Sequence, residues 1–125
     1  METITEKNIF TDIISREDFI LLFSSSEDKE NWFTEKELET IGRKGLSGSL
    51  AARYLIRKRI AYQVGINIAV TEIEILNDPS GKPEIRFSER WHTALSKAGF
   101  QSVVCSLSHS RNFITSLTIF LSNGA

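Results

Sequence analysis

The sequence holds one cysteine, two histidines and, between Glu39 and Glu72, not a single carboxylate. Each scarcity excludes something. The lone Cys105, in the apolar run Val103-Val104-Cys105, can close no internal disulfide and reads as a buried core residue. His92, His109 and one thiol cannot furnish a zinc centre. No apolar run approaches the ~18 residues of a membrane span. Residues 1–7 are acidic and lead into no signal-type apolar stretch, so a cytoplasmic protein without a membrane partner is expected. At 125 residues, with 41% hydrophobic and 25% charged residues, the chain suits one domain, 1–125, with a modest core.

The missing carboxylates polarise the chain, although its net charge is only −1. Residues 1–39 carry eleven acids against four bases, whereas 40–71 carry Arg43, Lys44, Arg53, Arg57, Lys58 and Arg59 and no acid. Such a stretch is expected to present a surface to an anion. No stacking platform or reading motif accompanies the bases and the pI is near 6, which argues against nucleic acid.

What is present centres on two runs. Asn77-Asp78-Pro79-Ser80-Gly81-Lys82-Pro83 has Asp, Pro and Gly where a type I turn prefers them. The residues on either side, 71–76 and 84–87, alternate polar and apolar as hairpin arms do. The turn gathers the Ser80 hydroxyl, the Gly81 backbone and the Lys82 ammonium, an anion-binding set. About twenty residues on comes Ser106-Leu107-Ser108-His109-Ser110. Helices are expected from Ser15 through Phe23, over 34–41 with Thr34 and Glu37 as a capping box, from near Ser49 to Gly65, and from Ser88 to Gly99 with Trp91, Leu95 and Ala98 on one face. Ser24-Ser25-Ser26 reads as a loop, and two strands, 102–106 and 113–121, close the chain. Ile56, Ile60 and Val64 are expected to pack the long helix on a sheet, leaving Arg53 and Arg57 on another face for phosphate or a protein partner.

Together the two runs closely resemble the phosphopantetheinyl transferases of the holo-acyl-carrier-protein synthase type, which carry a near-identical "ND-PSGKP" turn and a "SLSHS/T" strand end. Phe33-Thr34-Glu35-Lys36-Glu37-Leu38 is similar to that family's "FTEAEL", and Leu50-Ala51-Ala52-Arg53-Tyr54 to its "LAARF". The likeness covers roughly residues 33–120. It implies an α+β fold, 4′-phosphopantetheinyl transferase-like, with an antiparallel sheet packed on a long helix. It also implies a homotrimer with sites at subunit boundaries, and coenzyme A as the substrate whose 4′-phosphopantetheine arm passes to a serine of an acyl carrier protein. The acidic carrier would meet the basic segment 43–59. By the same resemblance Arg53, Ser80, Gly81, Lys82, Pro83, Ser106, Ser108, His109 and Ser110 would hold the coenzyme.

The family also implies a magnesium ion held by an Asp of a "G-x-D-I" strand and a Glu of a helical "KE" pair. Asp12, in Ile9-Phe10-Thr11-Asp12-Ile13, matches the first, with Phe10 in place of the glycine. The family's "AAKEA" falls on Leu55-Ile56-Arg57-Lys58-Arg59, so Lys58 replaces the metal-binding Glu and Arg57 the Lys before it; Tyr62 stands where a Lys is usual one turn later. Exchanging a carboxylate for an ammonium changes the site by two charges, on the order of several kcal/mol against a divalent ion at close range. Two readings stay open. Lys58, with Arg57, acts as a tethered cation on the pyrophosphate in an active transferase, or the protein binds coenzyme A or a carrier protein without transfer. Ser108 and His109 are strand neighbours whose side chains diverge, which argues against a Ser-His-Asp hydrolase. His92 reads as a surface or cap residue, and Glu72 and Glu74 as exposed strand carboxylates on one face.

Overall fold

The computed structural model describes residues 2–3, 8–24, 26–41, 47–65 and 67–123. In chain order the elements are β1 (Glu2–Thr3), β2 (Ile9–Ser15), α1 (Arg16–Leu22), α2 (Ser26–Trp32), α3 (Glu35–Thr40), α4 (Gly48–Val64), a 3₁₀ turn (Val70–Glu72), β3 (Ile73–Asn77), β4 (Pro83–Phe87), α5 (Glu89–Lys97), β5 (Ser102–His109) and β6 (Phe113–Asn123). β6 is the hub of an antiparallel sheet. It pairs with β2 from Ile9↔Ile119 to Ser15↔Phe113 and with β5 from Ser102↔Leu121 to His109↔Ile114; β1 extends the β2 side. β3 and β4 form a separate hairpin with Asn77↔Pro83 as its last pair.

The helix starts follow their caps. The Ser15 hydroxyl accepts from Asp18 N–H at 3.1 Å, and Thr34 and Glu37 complete a reciprocal capping box. α4 begins earlier than expected, because the hydroxyl that accepts from Leu50 N–H is that of Ser47. It ends at Gly65, whose φ of +65° takes the left-handed cap that a Cβ disfavours. Ser26 opens a helix rather than ending a loop: Glu27 and Asp28 in the first turn complement the helix N-terminus, a charge signal without an apolar period. Trp91 and Leu95 are buried on α5 as expected, but Ala98 is the exposed C-cap, one step past the last turn.

α4 is apolar on several sides because three layers surround it. Phe19, Phe23, Phe33 and Tyr54 form an aromatic cluster with α1 to α3, with Phe23 and Tyr54 ring centroids 5.1 Å apart. Ile56 and Ile60 pack with Ile73, Ile75, Trp91, Val103 and Phe120 on the other side, and Val64 adds to the margin. Cys105 is half-buried beside this second cluster, and burial pushes its thiol up to about 11. Side chains of β2, β5 and β6 alternate between α4 and an outer face. Ile9, Thr11, Ile13, Val104, Ser106, Ser108, Thr115, Leu117 and Ile119 share that outer face, with no charged residue among them.

Candidate functional site

The hairpin turn is built as its sequence demands. Gly81 N–H donates to the Asp78 carbonyl at 2.9 Å, with Gly81 at φ +89°, and Asp78 N–H donates to the Lys82 carbonyl at 2.7 Å. Its donors, however, point inward. Asp78 Oδ1 accepts from Ser80 N–H at 2.9 Å, Ser80 Oγ at 2.6 Å and Lys82 N–H at 3.0 Å. These bonds, first among them that from the Ser80 hydroxyl, hold the Asp78 carboxyl below its usual range. The Ser80 hydroxyl and the turn backbone therefore serve Asp78, correcting the expectation of an open set of donors. The exposed Lys82 ammonium is what the turn offers an anion.

Arg53 and Arg57 are corrected more sharply. Both are 0% exposed, not displayed on a free helix face. Arg53 donates Nε to the Ile75 carbonyl at 2.7 Å, Nη1 to the Ser49 carbonyl at 3.0 Å and Nη2 to Asn77 Oδ1 at 3.1 Å. Arg57 forms an ion pair with the fully buried Glu37 and donates to the Ile73 carbonyl from Nε at 3.1 Å and Nη2 at 2.7 Å. Glu37 also accepts from Ile75 N–H at 2.9 Å and Thr34 N–H at 2.8 Å. Desolvation lowers both guanidinium pKa values. These arginines grip the strand that leads into the turn, so they position it.

His109 lies at the N-terminal end of the same helix, the end where Arg53 joins Ser49 to Asn77. It is exposed at the end of β5, and its ring packs on Gly48, where a Cβ would stand 2.9 Å from His109 Cγ. Ser106 and Ser108 fall on the opposite, outer face, so Ser108 and His109 do diverge. The Ser110 hydroxyl donates to the Phe113 carbonyl at 3.3 Å, and Arg16 clamps this hairpin end through the Ser110 and Arg111 carbonyls, both at 3.0 Å. His92 is exposed against Phe87. Glu72 is not a strand residue but lies in the 3₁₀ turn, paired with Arg90, while Glu74 accepts from the Thr34 hydroxyl.

Asp12 stands apart from that end. It lines a groove of about 350 Å³ between β2 and α4 with Ile13, Leu55, Lys58, Arg59 and Tyr62. Arg59 donates Nε to Asp12 Oδ2 at 3.0 Å and Nη2 to Asp12 Oδ1 at 2.6 Å, a two-toothed pair that holds the guanidinium more firmly charged. Lys58 is exposed beside it, its ammonium 5.7 Å from the centre of the Tyr54 ring. From Gly48 to Lys58 is ten residues, about 15 Å at the helical rise. The expected site residues thus form two groups along α4, which one chain does not bring together. Arg43 and Lys44 lie outside the described residues. Of the other four bases of the segment, two are internal, one is paired with Asp12 and Lys58 is exposed.

A magnesium ion does not fit this donor set. Among the described residues no three His, Cys, Asp or Glu side chains cluster to hold a metal, and both Asp12 oxygens are engaged by Arg59. Arg59 is the groove residue that sequence reasoning missed. Its signal was a third consecutive base, after Arg57 and Lys58, with an Asp12 that no nearby base in the sequence matches.

Over 120 residues the chain is 35% identical to a holo-[acyl-carrier-protein] synthase of Fusobacterium nucleatum, spanning 90% of this chain and 97% of that protein. The chain belongs to the holo-[acyl-carrier-protein] synthase family. Its fold is that of the holo-[acyl-carrier-protein] synthase of Neisseria meningitidis, with a TM-score of 0.77 at 24% identity, covering 98% of this chain and all of that one. The Helicobacter pylori synthase solved in complex with coenzyme A gives a TM-score of 0.72 at 20% identity, over 90% and 98% of the two chains. No protein-family model matches the sequence. The expected α+β architecture of the family, an antiparallel sheet on a long helix, is what the chain adopts. Among the described residues no helix is long and apolar enough to cross a membrane.

Proposed function

We propose that this holo-[acyl-carrier-protein] synthase family member transfers the 4′-phosphopantetheine arm of coenzyme A to a serine of an acyl carrier protein. The kinship with the Fusobacterium synthase, spanning 97% of that protein, carries the reading. The serine oxygen attacks the β-phosphate of coenzyme A, the bond to the bridging oxygen breaks, and 3′,5′-adenosine bisphosphate leaves as the serine proton passes to solvent. Chemistry of this kind rests on positioning and charge neutralisation.

Lys82, with Gly81 and Pro83 shaping its loop, and His109 take the nucleotide end, whereas Ser106 and Ser108 face away from His109 on the outer face of the sheet. Lys58 meets the pyrophosphate. Ser80, Ser110, Arg53 and Arg57 are positioning residues, since their bonds run to Asp78, Phe113 and β3. The exposed Lys58, with Arg43 and Lys44 of the same segment, meets the acidic carrier. A homotrimer brings the His109 end of one copy to the Asp12 groove of another. The uncharged outer face of β2, β5 and β6, with Ile13 64% exposed, supports such an assembly.

The second reading, binding of coenzyme A or carrier protein without transfer, draws on the engagement of Asp12 by Arg59. Incubation with coenzyme A and apo carrier proteins from the same cell, followed by mass spectrometry, separates the two. A gain of one phosphopantetheine is expected. No gain on any carrier, with binding retained, would establish the second reading.

A further inference from the structure

Arg59 is held by side chains of both β2 and α4. Beyond its two bonds to Asp12, Nη1 donates to Gln63 Oε1 at 3.2 Å, and the guanidinium carbon lies 4.7 Å from the Phe10 ring centre and 5.6 Å from that of Tyr62. A planar cation fixed in this way is pre-organised, and each Asp12 oxygen already accepts from it. Among the described residues the groove carries two cations, Lys58 and Arg59, and one carboxylate. A divalent ion entering there would have to displace Arg59 from its carboxylate and its rings, and would then stand beside an ammonium. A phosphoryl oxygen meets the reverse, an exposed ammonium with three donors backed by a fixed guanidinium.

We infer that the Asp12–Arg59 pair stands in place of a divalent ion, so that this groove takes the pyrophosphate of coenzyme A on Lys58 without metal. The inference rests on the proposed use of coenzyme A. It assigns contact to Lys58 and positioning to Asp12 and Arg59. Phe10 stands where the family's glycine would be, and its ring is one of the two surfaces that fix Arg59.

Calorimetric titration of coenzyme A into the full chain, once in EDTA and once in millimolar magnesium, tests it. The two dissociation constants should agree within about twofold, and Lys58→Ala, an exposed change, should weaken binding at least tenfold in both. In the double variant Lys58→Glu with Arg59→Ala, Asp12 is released and gains a carboxylate neighbour. Manganese should then bind by electron paramagnetic resonance, where the wild type shows no bound ion. Coenzyme A bound only with magnesium, or manganese held by the wild type, would overturn the inference and leave the proposed function standing. No coenzyme A binding in either buffer would overturn both.

Discussion

Glu37→Ala should lower the melting temperature by about 15–25 °C, one of the largest effects of any single change outside the hydrophobic clusters. Glu37 and Arg57 are both 0% exposed, so truncating the acid leaves a guanidinium inside the protein without its counter-charge. Breaking a buried pair from one side costs about 3–5 kcal/mol. The Ile75 and Thr34 N–H groups lose their acceptor as well, which adds roughly 1 kcal/mol once overlap with the ion-pair loss is discounted. For a chain of 125 residues, an unfolding entropy of about 2.1 cal/mol/K per residue turns each kcal/mol into roughly 4 °C. Differential scanning calorimetry reads the shift. Should Glu37→Ala not fold, Glu37→Gln, which keeps an acceptor for Ile75 N–H, gives a smaller loss of the same sign. Glu37→Leu with Arg57→Met should recover part of the Glu37→Ala loss, because an apolar replacement of the whole pair removes the stranded charge. A Glu37→Ala protein melting within 3 °C of wild type would refute the placement of this network in the core.

Three further outcomes follow from the geometry. Gly48→Ala, which in an open helix turn adds stability, should instead displace the His109 ring and weaken coenzyme A binding measured by calorimetry, since the new Cβ meets Cγ and not a mobile tip; unchanged affinity would remove His109 from the site. The Asp78 carboxyl is depressed by its turn, so its contribution is present above the ordinary value of 3.8 and is lost as pH falls through a lower one. The Ser80 and Lys82 amide signals should accordingly titrate with a midpoint below 3.8, and a midpoint at or above it would contradict the inward-facing donors. Cys105, raised from 9.0 to about 11, should react with a disulfide probe at pH 8 about a hundredfold more slowly in the folded than in the urea-unfolded protein. The folded state keeps its thiol proton above pH 9, so this group's contribution to stability falls as pH rises towards 11; equal reaction rates would mean an open thiol.

Much of the fold was written locally. Ser15, Thr34 with Glu37, Ser88 and Gly65 each mark a helix end through a bond that only their immediate neighbours complete, and the Asp78–Gly81 turn is equally self-contained. What the sequence hid was pairing at a distance. Arg53 and Arg57 belong to a stretch without acids and therefore read as a surface; their partners are Glu37, from the preceding helix, and carbonyls of β3, some twenty residues away. α2 was illegible for another reason: its signal lies in charge at the helix start, with little apolar periodicity beyond Trp32, which meets the Tyr54 ring edge to face. At the candidate site the family motif alone set the expectation that Lys58 occupies the place of a metal-binding Glu. That Arg59 reaches back to Asp12, 47 positions earlier, required the strand and the helix to be seen together.

The most direct measurement is a crystal of the protein with coenzyme A grown in manganese, with data collected at the manganese absorption edge. The expected map has the Lys58 ammonium within hydrogen-bond distance of the pyrophosphate, Arg59 still on Asp12, and no anomalous peak between them. An anomalous peak on Asp12, with Arg59 swung away, would contradict the claim that the ion pair stands where a metal would.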